Sequence, residues 1–310
     1  MAKSDFDALL RELPHVLVLI ILILVLLVVL TKFQVVHCSQ IPGNWCEIYC
    51  TQIMRSKSTV ALISGDEGIG DPRSLKNLLE KTRVYTPVTP IQASALTQGT
   101  LKNFDLVIIE RAKRMSTLQV RAIEDFVNRG GTLILIGDAA SEQYVDRYDL
   151  LWAAGQNTSF YQDLVLRGVT PESQEWKDAW KSVEYSEWYD YLLRANTTRI
   201  GFGRLSSVVA AEFDRTENVS GNVTLDGVFL NHMVYRGIVG EYPIDINNFA
   251  VVTMNPSAVT LIAMLNKDGK DYPAIFETKY AGRILYFAFP LEAANSSTLV
   301  TNVVDYLIPC

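Results

Sequence analysis

The sequence reads Phe104-Asp-Leu-Val-Ile-Ile-Glu110, then STLQVRAIEDFVNRGG from Ser116 to Gly131, then Thr132-Leu-Ile-Leu-Ile136. The first and last stretches are short, continuous apolar runs, which are typical of strands buried on both faces. The stretch between them has apolar residues at helical spacing, with Ser116 in the N-cap position and two glycines at the end. This order predicts a β-α-β unit with two parallel strands.

The same alternation continues along most of the chain. Further strands are predicted at Thr59–Ser64, Gly227–Leu230, Phe249–Met254, Val259–Leu265, Ala274–Lys279 and Arg283–Phe289, and further helices at Pro72–Lys81 and Ser296–Leu307. Lys267-Asp-Gly-Lys270 predicts a hairpin turn. The pattern therefore predicts an α/β domain over residues 59–310, with a mostly parallel sheet and helices on both faces.

An aromatic-rich insertion at about residues 149–225 interrupts this alternation and carries four of the five tryptophans. A helix is predicted there from Thr170 to about Arg194, with Pro171 at its first position. Trp176 and Trp180 share one face of that helix, which suits either sugar stacking or burial in a core. We favour burial, because large aromatic side chains dominate core packing.

A membrane anchor is predicted at the amino terminus. Val16 to Leu30 read VLVLIILILVLLVVL, which as a helix spans ~22 Å of a hydrocarbon core of ~30 Å. The flanking residues Leu13 and Phe33 extend the apolar stretch. A cleaved signal peptide is the alternative, but no small-x-small cleavage site follows. We therefore expect a cytoplasmic tail at residues 1–12, a signal anchor at 13–33 and a cysteine-containing linker at 34–58.

Glycosylation sequons and cysteines indicate the side of the membrane. Five N-x-S/T sequons follow the anchor and none precedes it, at Asn157, Asn196, Asn218, Asn222 and Asn295. They predict an extracytoplasmic, glycosylated domain. The four cysteines, Cys38, Cys46, Cys50 and Cys310, suit two disulfides in an oxidising compartment and match no usual zinc spacing. Because the last helix should end where the first strand enters, we expect Cys310 to pair with Cys50 or Cys46.

The net charge of −6, without a run of Lys or Arg, argues against a nucleic-acid partner. No sequence motif predicts a cofactor or a metal site. Gly65-Asp-Glu-Gly-Ile-Gly70 does not fit a phosphate loop, because its two carboxylates would oppose bound phosphates.

The strand-helix-strand stretch at residues 104–138 resembles the class I glutamine-amidotransferase-like superfamily, and within it the trehalose-utilisation-protein-like branch. Tyr280-Ala-Gly-Arg-Ile-Leu-Tyr-Phe-Ala-Phe289 is similar to the "G-x-G-R-V" strand that closes those domains. Asn231-His232 and Gly237-Ile238 are similar to their "H-P-x-x-x-G" loop, with Met233 where proline is usual. The resemblance implies a flavodoxin-like or amidotransferase-like fold, with a mostly parallel sheet and helices on both faces, rather than an activity.

The resemblance also locates a missing nucleophile. Enzymes of the superfamily place an activated cysteine on a sharp turn after a strand. The matching turn here is Ile136-Gly137-Asp138-Ala139, with Gly137 in the nucleophile's place, and no cysteine lies between Cys50 and Cys310. Glutaminase-type catalysis is therefore not expected.

Carboxylates nevertheless follow the predicted parallel strands, where ligands collect in open α/β sheets. Asp66 and Glu67 follow the first strand, Glu110 ends the second and Asp138 follows the third. With His232 they form a candidate catalytic set, although polar side chains in strand-end loops are also common turn formers and caps. The favoured interpretation is a non-catalytic binding or scaffold module in a membrane assembly, with a protein or glycan partner. The alternative is an extracytoplasmic hydrolase that acts on carbohydrate or peptide through these five residues.

Overall fold

The computed structural model describes residues 2–32, 36, 41, 43, 45–54, 58–82, 86–97, 99–144, 167–170, 173–175, 199–238, 240–294 and 296–308. The chain divides into two units, one comprising Met1–Ser58 with Ile308–Cys310 and the other comprising Thr59–Leu307.

The first unit is built on a long apolar helix, α1 (Ala2–Lys32). It is followed by a short helix, α2 (Trp45–Ile48), which continues as a π-helical turn over Tyr49–Met54. Within α1, Pro14–Thr31 is long and apolar enough to cross a membrane, a property that a signal sequence near an N-terminus shares.

The second unit is a mixed α/β fold. Its strands are β1 (Val60–Ser64), β2 (Val88–Gln92), β3 (Leu106–Glu110), β4 (Arg114–Ser116), β5 (Thr132–Ile136), β6 (Glu142–Tyr144), β7 (Arg199–Ile200), β8 (Ala211–Asn218), β9 (Val223–Gly227), β10 (Tyr242–Ile244), β11 (Asn248–Met254), β12 (Val259–Lys267), β13 (Lys270–Lys279) and β14 (Arg283–Phe287). Its helices are α3 (Pro72–Thr82), α4 (Thr117–Asn128), α5 (Ser206–Val209) and α6 (Ser297–Leu307). Single 3-10 turns lie at Ala93–Ala95, Gly203–Leu205, Met233–Tyr235 and Leu291–Ala294.

Nine strands form the main sheet in the order β10-β9-β12-β13-β14-β5-β3-β1-β2. The strands from β2 to β14 are parallel, as predicted. The strands from β13 to β10 extend the sheet in antiparallel pairs, so only about half of the sheet is parallel. The predicted α/β fold with a large parallel sheet is confirmed, and the predicted hairpin turn at Asp268-Gly269 joins β12 to β13 within the antiparallel extension.

The core lies on both faces of the sheet. On one face, α4 packs its apolar stripe against the alternate residues of β1, β3 and β5, and the β8–β11 pair covers the same face. On the other face, α3 contacts β1 and β2 and is joined by α6. The sequence features at both ends of α4 act as predicted: Ser116 caps the helix through a capping box with Gln119, and the chain turns at Gly130 with φ +89°.

Two of the predicted strands differ in the structure. A strand was predicted at Gly227–Leu230, but the observed strand β9 covers Val223–Gly227. It ends at Gly227 because the amides of Val228 and Phe229 both bond to the carbonyl of Ile262. The strand at Asn248–Met254 does exist, but it pairs with β8 in a separate two-stranded sheet rather than joining the main one.

Several predictions fall on residues outside the described ranges. They include most of the aromatic insertion with its helix and four tryptophans, the sequons at Asn157, Asn196 and Asn295, and the side chains of Cys38, Cys46 and Cys310. Cys50 is buried and disulfide-bonded. The partner of Cys50 stays a prediction.

Candidate functional site

The carboxyl ends of the parallel strands bring four of the five predicted site residues to one edge of the sheet. Ser64 at the end of β1 lies beside Glu110 at the end of β3, and β5 runs parallel to β3. Asp66 and Glu67 therefore follow β1 at the same edge at which Glu110 ends β3 and Asp138 follows β5. The shared edge follows from the parallel register alone.

A cavity of about 280 Å³ opens at this edge, beside β1, β2 and α4. Its lining residues are Gly65, Asp66, Glu67, Gln92, Ala93, Ser94, Ala112, Lys113, Arg114, Gln119 and Tyr144. The side chains of Asp66 and Glu67 are exposed. Neither carboxylate has a hydrogen bond or ion pair within the described part of the chain, so both remain open to a ligand.

The cationic wall of the cavity comes from the β3–β4 connection. The Nζ atom of Lys113 lies 2.6 Å from a carboxylate oxygen of Glu142, and this hydrogen bond raises the pKa of Lys113. Arg114 lies 3.9 Å from the other oxygen of Glu142 and 5.8 Å from the ring centre of Tyr144. The cavity thus carries open carboxylates on one side and partly compensated cations on the other, which suits a small polar group.

Glu110 does not face this cavity. Its side chain is fully buried, and neither of its carboxyl oxygens has a hydrogen-bond partner in the described residues. Burial, reinforced by the nearby carboxylates of Glu292 and Asp71, raises the pKa of Glu110 to about 10. Glu110 is therefore protonated at neutral pH. A Cβ atom built on Gly70 would lie 2.5 Å from its Oε1 atom, so Gly70 lets the loop close over the carboxyl.

Asp138 holds the other side of the same loop. Its Oδ1 atom accepts a hydrogen bond of 2.8 Å from the amide of Ile69, and its side chain is buried. Burial raises the pKa of Asp138, although the bond from Ile69 opposes that shift. The neighbouring Gly137 has φ +63° and is fixed at both ends, since its amide bonds to Phe287 and its carbonyl accepts the hydroxyl of Tyr286.

The turn at Gly137 has the left-handed backbone of a sharp turn but lacks a reactive side chain. The chain continues through successive turns into β6 rather than into a helix. The amide-rich N-terminus of a helix that could stabilise an oxyanion is therefore missing from this position among the described residues.

His232 belongs to a separate buried network. Its Nδ1 atom accepts from the amide of Val234, which assigns the proton to Nε2, and Nε2 lies 3.3 Å from an oxygen of Glu277 on β13. The hydroxyl of Tyr306 on α6 donates to both oxygens of Glu277, at 2.8 and 2.9 Å, and Arg283 lies 3.3 Å away. Burial alone would raise the pKa of Glu277, but these bonds and the nearby cation lower it.

The five predicted residues therefore separate into three groups. Asp66 and Glu67 line the cavity, Glu110 and Asp138 lie under the adjoining loop, and His232 pairs with Glu277. No hydrogen bond or ion pair joins His232 to any of the four carboxylates in the part of the chain that the structure describes. Nor do the described residues contain a group of His, Cys, Asp and Glu side chains placed to hold a metal ion.

The partners of these residues were not predicted from the sequence. Glu277 could have been noticed, since it is a charged residue inside the apolar strand Ala274–Lys279. Glu292 and Lys113 carried no comparable signal, because they lie in loops where polar residues are ordinary.

Comparisons of the sequence with protein-family models and with curated proteins find no match. Among solved structures, a cold-adapted β-galactosidase from Rahnella sp. R3 aligns with a TM-score of 0.50 and 13% identity over 81% of this chain. The chain spans about a third, 31%, of that protein's length.

Two smaller proteins align over most of their own length. A ThuA-like protein from Bacteroides uniformis ATCC 8492 aligns with a TM-score of 0.48 and 12% identity, over 86% of this chain and 93% of that one. A cytoplasmic protein from Salmonella typhimurium LT2 aligns with a TM-score of 0.48 and 12% identity, over 80% of this chain and 98% of that one.

Proposed function

We propose that this chain is a membrane-anchored, extracytoplasmic binding module with a non-catalytic amidotransferase-like fold. In this proposal α1 anchors the chain, and the cavity edge of the second unit binds a protein or glycan partner within a membrane assembly. The observation that carries the proposal is the cavity beside β1, where two exposed carboxylates, Asp66 and Glu67, have no hydrogen bond or ion pair with any residue that the structure describes.

The cavity geometry limits the ligand. A volume of about 280 Å³ is just below the range of about 300–1,000 Å³ for small-molecule pockets. The cavity therefore suits one polar group of a larger partner, such as a cationic side chain or a sugar hydroxyl cluster, better than a complete large ligand. Lys113 and Arg114 would add selectivity, because a partner must also satisfy or avoid their charges.

The non-catalytic part of the proposal rests on the turn at Gly137. That position has no nucleophile, and the nearby Asp138 is occupied by the amide of Ile69. The alternative is a hydrolase of carbohydrate or peptide, and its carbohydrate form needs a carboxylate pair with room for a substrate between them. Glu110 is fully buried and His232 lies in a different network, so neither is available to act with Asp66 or Glu67.

The extracytoplasmic side is supported by the two sequons within the described ranges. Asn218 and Asn222 are both exposed, at the end of β8 and in the connection to β9. An oligosaccharide can therefore reach both side chains without a change of the fold. Glycopeptide analysis of protein from native membranes should find glycan on at least one of the five sequon asparagines, and unmodified Asn at all five would contradict the proposed side.

The binding proposal is tested with full-length protein in its native membranes. Cross-linking followed by affinity capture and mass spectrometry should enrich one partner with the wild-type chain, and the double variant Asp66→Asn/Glu67→Gln should lose it. Glu80→Gln is the matched control, because Glu80 is a surface carboxylate on α3 that pairs with Lys76 away from the cavity. Equal capture by both variants would contradict a role for the cavity.

A further inference from the structure

The segment that follows the apolar helix folds back onto the end of that helix. The hydroxyl of Thr31 donates to the carbonyl of Leu27 at 2.8 Å and accepts a bond of 3.1 Å from the indole nitrogen of Trp45. Trp45 stacks on Tyr49, with ring centres 6.3 Å apart and an angle of 26° between the rings. Thr31, Trp45 and Tyr49 are all buried, so the segment is packed against the helix end rather than extended away from it.

The hydrogen bond to Thr31 fixes the depth of this segment. The apolar window Pro14–Thr31 has 18 residues, which span about 27 Å as a helix. A hydrocarbon core is about 30 Å thick, so Thr31 lies where the acyl chains meet the headgroups. A side chain that is bonded to Thr31 must lie at the same level, and Trp and Tyr are enriched at that level in membrane proteins.

The described outer side of the same segment exposes two large apolar side chains, together with the polar Gln52. Ile48 is 48% exposed and Ile53 is 41% exposed. Both lie within two helical turns of the buried pair Trp45 and Tyr49. In the described part of the first unit no protein group covers the two isoleucines, whereas the depth set by Thr31 places a lipid surface at their level.

We propose that Trp45–Met54 is an interfacial element that lies in the headgroup layer, with Ile48 and Ile53 directed toward the acyl chains. This inference rests on the proposed membrane anchoring of α1. The occupant of the apolar side is the phospholipid bilayer that α1 itself spans. The linker after the anchor is then seated at the membrane surface instead of forming a free tether.

Site-specific photo-cross-linking tests this arrangement in the full-length chain. The substitutions Ile48→p-benzoylphenylalanine and Ile53→p-benzoylphenylalanine are made singly, and each protein is reconstituted in phosphatidylcholine vesicles and illuminated. Leu24→p-benzoylphenylalanine is the positive control, because Leu24 is an exposed side chain within the apolar window. Ile200→p-benzoylphenylalanine is the control in the second unit, because Ile200 is 76% exposed.

Intact-mass spectrometry then counts phospholipid adducts. We expect adduct yields at positions 48 and 53 comparable to that at position 24 and several-fold above that at position 200. Adducts at 24 but not at 48 or 53 would overturn the proposed location of Trp45–Met54 in the headgroup layer and leave the anchoring of α1 intact. No adduct at 24 would overturn the anchor and this inference together. Yields at 48 and 53 equal to that at 200, or adducts to protein alone, would also overturn it.

Discussion

Replacing the buried carboxyl of Glu110 by an amide should stabilise the protein at neutral pH. Burial raises the pKa of Glu110 from its ordinary value of 4.5 to about 10, so the native state keeps a proton that the unfolded state releases. A group whose pKa is raised on folding contributes its full stability below 4.5 and loses it as the pH rises toward 10. Glu110→Gln removes this loss, because glutamine does not titrate.

The size of the effect follows from the interval between the two pKa values. One pH unit corresponds to about 1.4 kcal/mol for a single proton, and pH 7 lies two and a half units above 4.5. The wild-type protein therefore loses about 3 kcal/mol by pH 7 relative to acid conditions through this residue alone. The variant should be more stable by up to that amount.

The assay is urea unfolding of the full-length protein in detergent micelles at pH 6, 7 and 8. The stability difference between Glu110→Gln and wild type should grow by about 1.4 kcal/mol for each pH unit. Glu80→Gln is the control, since loss of its surface ion pair should cost no more than about 0.5 kcal/mol at any of these pH values. Parallel pH dependences for wild type and Glu110→Gln would show that Glu110 is not protonated in the fold, and would contradict its raised pKa.

Three further substitutions test the surroundings. Gly70→Ala should destabilise by about 1–3 kcal/mol in the same urea assay, because φ is +109° and the new Cβ atom meets Glu110; wild-type stability would refute the close contact. Tyr306→Phe should cost about 1.5–3 kcal/mol at pH 7, because it removes a hydroxyl donor to the charged Glu277. Because the pKa of Glu277 is lowered in the fold, its contribution to the free energy of unfolding is lost as the pH falls through that pKa. Tyr306→Phe should therefore begin to lose this contribution at a higher pH than wild type. An unchanged dependence of stability on acid pH would argue against the network. Ser116→Ala should cost about 1 kcal/mol through loss of the N-cap, measured by thermal unfolding, with Ser116→Thr as the version that retains most of it.

The parallel half of the fold could be predicted because its signals are local. β1, β3, β5 and α4 each have a continuous apolar run or a helical stripe, and the capping box at Ser116 marks the start of α4. The antiparallel extension was harder to predict. The apolar pattern of β11 is the same whether it joins the main sheet or pairs with β8, and only contacts distant in the sequence decide between the two.

The sequence could predict which edge of the sheet carries the candidate site, but not how the side chains are arranged there. Parallel strands place their carboxyl ends together, so the positions of Asp66, Glu110 and Asp138 at one edge followed from the strand order. The sequence did not show which face each side chain takes, because the residues after a strand no longer alternate. The resemblance to a family loop singled out His232 but did not show its partner, because Glu277 lies 45 residues away in the sequence.

The loop Gly65–Gly70 explains why exposed and buried carboxylates occur side by side. Its middle residues, Asp66 and Glu67, point to the cavity, while Ile69 bonds to Asp138 and Gly70 closes over Glu110. A buried, protonated carboxyl costs stability that an amide or an apolar side chain would not cost. Packing therefore does not account for Glu110. The carboxyl of Asp138 fixes the inner half of the loop through the amide of Ile69, and that fixation sets the position of the two open carboxylates that a partner would meet.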